Sequence, residues 1–234
     1  MSATASRAQR PSRLSPQLAE LLAYLADIGW GDVYLRKSRP PLDPRAQERA
    51  AQLEALGVAA AACTRCRLAE GRSHVVFGAG NPQAELMFVG EGPGAEEDRQ
   101  GLPFVGPAGE LLTKIIQAIE LTREEVYIAN VVKCRPPGNR DPQPDEVTAC
   151  RGFLDRQIEL VGPRLLVALG KVAAQVLLGT DSPIGQLRGR WHAVQGIPTL
   201  VTYHPAALLR NAALKRPTWE DMQLVRDRLR ESEP

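Results

Sequence analysis

Four carboxylates, Glu91, Glu96, Glu97 and Asp98, fall within eight residues of the stretch "GEGPGAEEDRQGLPFVGPAG" (90–109). A glycine-rich loop after a strand commonly cradles phosphate on its backbone N–H groups. These residues argue against that use. The loop lacks the Gly-Lys-Ser/Thr ending of a P-loop, and its glycines at 90, 92 and 94 miss the dinucleotide spacing. Four acids would also repel a phosphate. Glu91 directly follows an apolar run, so a carboxylate there can orient a water or stabilise a developing cation. The structural alternative is a turn cap, with the remaining acids in solvent.

Other residues of useful type sit at comparable places. Phe104, in "GLPFVG", can stack on a planar ligand or plug a core. Asn130 interrupts the apolar run "VYIANVVK" and needs partners if buried. Its amide offers both a donor and an acceptor, which suits a pyrimidine edge or a structural role. His204 precedes Pro205 at the end of another apolar run, where a ring N–H can donate to a substrate carbonyl as charge builds. His74 and His192 lack such a setting and read as structural.

The cysteines are Cys63, Cys66, Cys134 and Cys150. A reducing compartment argues against two disulfides. One C-x2-C pair plus two further thiols reads as a metal or iron–sulfur site, and spacing alone leaves tetrahedral zinc open.

The elements that must position these groups alternate. Short apolar runs at 85–91, 126–133, 164–170 and 197–204 read as strands. Helical patterns occupy 106–121, 144–161, 171–179 and 218–229, the last capped by Thr218. That order predicts an α/β fold, a parallel sheet with helices on both faces. Ligands of such sheets bind beyond the carboxyl ends of the strands. The rule gathers the 90–109 loop, the segment after Val132, the loop after Gly170 and "HPAALLRN" (204–211) into one region. Upstream, residues 1–14 read as disordered, 15–25 as a helix and 36–44 as a linker. A further helix at about 45–62 delivers Cys63. Residues 1–45 are thus an extension, and 46–234 the domain.

The 234 residues carry a net charge of only +2, with 44% hydrophobic residues, so composition does not announce a nucleic-acid binder. Basic residues nonetheless recur near loops, Arg135, Arg140 and Arg210 among them, and can track phosphate if they cluster. No apolar run is long enough to span a bilayer and no secretory segment opens the chain, so a cytoplasmic protein is expected.

Taken together, "GEGPGAEEDRQGLPFVGPAGELL", "YIANVVKCRPPGNRDPQPDEVTAC" and "HPAALLRN" resemble the family 4 uracil-DNA glycosylases, the iron–sulfur branch of their superfamily, over residues 59–231. The resemblance implies a three-layer α/β/α domain with a four-stranded parallel sheet. It also implies a 4Fe–4S cluster on Cys63, Cys66, Cys134 and Cys150. The implied activity is hydrolysis of the deoxyuridine glycosidic bond in single- or double-stranded DNA, leaving an abasic site with no lyase step. By motif position, Glu91 resembles the residue that deals with the water or the sugar cation, and Gly92 belongs to the same substrate loop. Glu97 resembles an acid in the pocket wall that disfavours thymine. Phe104 resembles the ring stacked on uracil, Asn130 the amide reading its edge, and His204 the histidine near O2. The stretch Ala206–Arg210 resembles the loop entering the minor groove. A sister group carries a nucleophilic histidine after the second strand and is trapped covalently on DNA. Here "VVKCRPPGNRDP" has none, which implies a hydrolase that turns over. A monomer is expected, with a replication-clamp or repair partner for the extension. The competing readings are a non-catalytic DNA-binding module stapled by iron–sulfur or zinc, and a redox-sensing regulator.

Overall fold

The computed structural model describes residues 44–231. The expected extension helix and linker lie outside them. Two helical segments come first, α1 (Pro44–Ala61) and the single turn α2 (Leu68–Gly71). The sheet strands are β1 (Ala79–Gly80), β2 (Leu86–Gly90), β3 (Tyr127–Asn130), β4 (Leu165–Leu169), β5 (Trp191–Val194) and β6 (Ile197–Thr202). Between them lie α3 (Ala95–Gln100), α4 (Pro107–Ala118), α5 (Pro144–Val161), α6 (Lys171–Leu178) and α7 (Ile184–Leu187). After β6 come α8 (Pro205–Arg210) and α9 (Lys215–Arg230).

The sheet has six strands in the order β1-β3-β2-β4-β6-β5. Its four inner strands are the four expected ones and are parallel, with Gly90 beside Asn130, Leu86 beside Leu165 and Ala168 beside Val201. The expectation of four strands falls short at both edges, where β1 and β5 pair antiparallel with β3 and β6. Strand β1 is too short to show a pattern. The β5–β6 hairpin turns on Gln195 and Gly196, both with positive φ (51° and 80°), as a two-residue loop of mirror-type turn requires.

Alternation along the inner strands builds two cores. Met87, Val89, Ala129, Leu166 and Ala168 face one way, packing with Leu53 of α1, Leu154 and Ile158 of α5 and Ala173 of α6. Leu86, Phe88, Ile128, Leu165 and Val167 face the other, packing with Leu112 and Ile116 of α4 and Met222 and Val225 of α9. Strands buried on both faces are what a parallel sheet between helices demands. Helix α5 spans the expected residues and ends on Gly162 in the left-handed region (φ 58°).

Two local expectations are corrected. Helix α9 starts three residues before Thr218, whose hydroxyl donates to the Leu214 carbonyl (2.8 Å) from inside the helix and caps nothing. The acidic stretch is not all loop. Ala95–Gln100 is helical, with Glu96, Glu97 and Asp98 in its first turn, where the helix dipole favours negative charge.

Candidate active site

The four inner strands deliver their chemistry to one edge. Glu91 leaves β2, Asn130 ends β3, Gly170 follows β4 and His204 lies two residues past the end of β6. A slot of about 60 Å³ opens there, lined by Gly92, Glu97, Phe104, Ala108, Asn130 and His204. A roomier groove of about 810 Å³ runs between α5 and α6, lined by residues such as Val147, Arg151, Val172 and Gln175. It brings together none of the sequence-chosen side chains.

Asn130 is 1% exposed, and its side-chain oxygen has no hydrogen-bond partner among the described residues. A buried acceptor left open costs about 1–3 kcal/mol unless a ligand satisfies it. Its strand neighbour is glycine for a steric reason. A Cβ on Gly90 would lie 2.4 Å from the Asn130 oxygen and 2.6 Å from Phe104 Cζ.

Phe104 lies under the slot with a positive φ of 52°, an uncommon geometry for a bulky residue. Several groups enforce it. Glu97 accepts hydrogen bonds from the N–H groups of Gly94 (3.1 Å), Val105 (2.9 Å) and Gly106 (3.0 Å). Arg123 donates to the Pro103 carbonyl (2.8 Å). Gly109 admits the Phe104 carbonyl where no side chain would fit. Glu97 therefore lines the slot and also ties down the loop carrying Phe104, a second task invisible in its motif position.

His204 caps α8, its Nδ1 accepting from the Ala206 N–H (3.2 Å). That bond leaves the ring proton on Nε2. Burial, aided by the nearby Arg210 charge and opposed by Glu97, pushes its pKa down to about 4, so the ring is neutral at pH 7. Its centroid lies 5.5 Å from that of Phe104. The structure thus gathers Gly92, Glu97, Phe104, Asn130 and His204. Ala206 and Arg210 sit on adjoining α8, with Arg210 exposed. Within the same stretch, next to Arg210, Leu209 is 53% exposed although apolar.

Glu91 is half-buried beside the slot, whose lining begins at its neighbour Gly92. Burial first, and then the Asp141 carboxyl in contact with it, push its pKa up to about 7. Asp141 was not singled out from the sequence. Asp98 is buried under Ser73 (N–H to carboxylate, 2.9 Å). His74 and His192 both bond backbone carbonyls, as their structural reading expects.

All four cysteines line one small cavity with Arg65, Arg72, Lys133 and Phe153. Arg65 Nε lies 3.4 Å from Cys63 Sγ and Arg72 Nη1 3.3 Å from Cys134 Sγ. The buried Lys133 ammonium donates to the Asn130 carbonyl (2.7 Å) and to Gln157. Cations around four thiols suit an anionic thiolate-bound group. Among the described residues, no three ligand side chains converge as a single metal ion would require. Arg140, which the charge pattern offered to phosphate, is paired within the protein. It grips the fully buried Glu146 with both terminal nitrogens (2.8 and 2.6 Å).

The sheet edge presents an aromatic ring, an amide with an open oxygen and a neutral imidazole, groups able to stack on and hydrogen-bond a planar ligand. The profile described as "Uracil DNA glycosylase superfamily" matches residues 77–223. The type-4 uracil-DNA glycosylase of Sulfurisphaera tokodaii is 46% identical, over 70% of this chain and 79% of that protein. That of Thermotoga maritima is 47% identical, over 69% and 86%. A type-5 uracil-DNA glycosylase of Thermus thermophilus is 33% identical over 44% of the chain and 53% of its own length. The chain belongs to the uracil-DNA glycosylase superfamily and, within it, to the type-4 family.

Proposed function

We infer that this chain hydrolyses the N-glycosidic bond of deoxyuridine in DNA, releasing uracil and leaving an abasic site, the opening step of base excision repair. The observation carrying the reading is the unpartnered oxygen of buried Asn130 in a slot walled by Phe104 and His204. The uracil N3–H matches that acceptor and O4 the amide N–H. Phe104 supplies the stacking face. A base reaches such a slot only by leaving the duplex, at a cost of a few kcal/mol. Leu209, exposed beside Arg210, is an apolar side chain suited to the space the base vacates, while Arg210 holds the backbone.

Uracil departs as an anion and the sugar becomes cationic. The Nε2–H of neutral His204 donates to O2 as its charge grows. The Glu91 carboxylate stabilises the sugar cation and orients the attacking water. Of the four acids in the loop only Glu91 is placed for this, since Glu97 and Asp98 accept from backbone N–H groups and Glu96 pairs with Arg99. The chain acts as a monofunctional hydrolase.

For the cysteines we propose a 4Fe–4S cluster held by Cys63, Cys66, Cys134 and Cys150, with Arg65, Arg72 and Lys133 offsetting its charge. When bound it staples the segment after α1 to α5 and to the loop after β3, and it supplies no step of the reaction. Iron and acid-labile sulfide in the purified protein test this. Cys134→Ser is expected to lose both and about 4 kcal/mol or more of stability. Zinc in place of iron would overturn the assignment.

No helix among the described residues is long and apolar enough to cross a membrane. We place the protein in the cytoplasm, as a monomer acting on single- or double-stranded DNA. For residues 1–45 we propose a replication-clamp or repair partner. Alkaline cleavage of uracil-containing oligonucleotides tests the activity. Uracil strands should be cut and thymine strands spared, and binding without uracil release would favour the non-catalytic module. Leu209→Ala should slow excision from duplex by about tenfold while leaving single strands nearly unaffected, because only a duplex closes behind the departing base.

A further inference from the structure

The lysine of "NVVKC" (130–134) is 2% exposed, and no other lysine or arginine among the described residues is buried. A buried ammonium is costly unless acceptors and anions surround it. Lys133 has acceptors on two sides. Its Nζ donates to the Asn130 carbonyl, three residues back (2.7 Å), and to the Gln157 side-chain oxygen. The Phe77 ring lies 5.9 Å from the same nitrogen. Both acceptors are neutral, and among the described residues no carboxylate pairs with Lys133. The charge it can offset lies in the cavity it lines with Cys63, Cys66, Cys134 and Cys150.

The other end of the contact is the slot. The Asn130 carbonyl lies past the last β1–β3 pair, Ala79 with Ile128, so that ladder gives it no N–H. The Lys133 ammonium takes that place. The N–H of the same peptide, that of Val131, donates to the Gly90 carbonyl (2.9 Å). The peptide joining Asn130 to Val131 is therefore held from both sides, by β2 and by Lys133. Its orientation sets the direction in which the Asn130 side chain leaves the backbone, and that side chain carries the unpartnered oxygen of the slot.

The support is itself fixed. The Lys133 carbonyl accepts from the Val76 N–H (2.8 Å). Gln157 donates to the Phe77 carbonyl (2.8 Å) and to the Tyr127 hydroxyl (3.2 Å). Arg65 and Arg72 reach Cys63 and Cys134 from the more exposed side of the cavity. Only Lys133 bonds both ways, its body in the cysteine cavity and its head on the strand end that reads the base. A neutral donor would satisfy a carbonyl at lower burial cost. Lysine is explained when both ends count, a long reach to Asn130 and a positive charge against thiolates.

We propose that Lys133 is a positioning residue that ties the cysteine site to the slot, fixing the Asn130 peptide so that its amide meets the uracil edge. The proposal rests on the uracil-excising reading and on an anionic group bound by the cysteines. Lys133 touches neither base nor sugar and acts through Asn130 alone.

The test measures binding of free uracil by ligand-detected NMR, and the preference for uracil over cytosine in single-turnover excision, for wild type and Lys133→Met. Iron, acid-labile sulfide and melting temperature are measured on the same samples. Methionine keeps the length and removes the charge and the donor. The iron-loaded variant should bind free uracil about tenfold more weakly, the order a hydrogen bond from a charged donor is worth, and its preference for uracil should narrow. Its affinity for duplex lacking uracil should stay at the wild-type value, which a general loosening of the fold would not leave untouched. Unchanged uracil binding and selection in the folded, iron-loaded variant overturn the proposal. Should Lys133→Met fail to fold or to hold iron, Lys133→Arg decides. It keeps the charge facing the cysteines, while its planar head cannot sit between the two oxygens as an ammonium does. Weakened uracil binding at full iron content then supports the proposal, and wild-type binding overturns it. Failure of both variants to fold overturns it as well, since Lys133 would then serve the fold as a whole. A wild type that never releases uracil would instead sink the functional reading, and one without iron the cluster assignment.

Discussion

Glu91→Gln lowers single-turnover uracil excision by about 10²–10⁴-fold, the range for losing a positioned base or charge-stabilising group. The same substitution raises thermal stability at neutral and alkaline pH. The second outcome follows from linkage. The folded pKa of Glu91 is raised from 4.5 to about 7, by burial and then by Asp141. A group with a raised folded pKa contributes its stability in full below the unfolded value, and that contribution is lost as pH climbs through the folded value. Wild type therefore loses stability between about pH 4.5 and 7, as the half-buried carboxylate ionises beside another. Glutamine carries no charge and avoids the loss. Melting temperatures should coincide near pH 4 and diverge in favour of the variant above pH 7. In the same window the wild-type rate rises with pH, while the residual rate of the variant stays flat. A merely structural Glu91 would show the opposite combination, lower stability with a rate that recovers once the protein is folded. His204 cannot supply that pH dependence, since its ring takes up a proton only near pH 4.

Much of this was legible in the residues because the signals are local. Four apolar runs became four parallel strands, and the strand-end rule put Glu91, Asn130 and His204 at one edge. What escaped reading depends on partners distant in sequence. Glu146 looks like an ordinary first-turn acid on α5, yet it is wholly buried because Arg140 and Arg67 reach it. Arg140 looks like a phosphate ligand for the same reason inverted. Asp141 carries no motif, and its charge bears on Glu91 only through the fold, since the two are far apart in the chain. The acid-rich α3 hides from apolar periodicity because its buried residue is Asp98, not a hydrophobe. Acids in a first turn closed by Gly101 at φ 72° were the available signal. The family resemblance supplied what spacing could not, the roles of the slot residues, while the geometry of the slot supplied a reason for each residue type.

Asn130→Asp removes the base-reading amide without changing its size, and its expected cost is about 10²–10³-fold in uracil excision, the loss typical of one aimed hydrogen-bond donor. The side-chain nitrogen of Asn130 would donate to uracil O4 while its open oxygen accepts from N3–H. A carboxylate keeps the acceptor and loses the donor, so O4 meets a negative charge in a site only 1% exposed. Cytosine presents an amino group at that edge, and carboxylates accept from it. Discrimination between the two bases should therefore shrink at least as much as the uracil rate falls, and cytosine release becomes the place to look. Competition between uracil and cytosine oligonucleotides of one sequence measures this directly. Stability provides the control. Wild type tolerates an unsatisfied acceptor in the folded state, so Asn130→Ala should cost little stability while abolishing selection. If Asn130→Asp excised uracil at the wild-type rate with selection intact, the slot would not read the base through this amide, and its unpartnered oxygen would need another ligand.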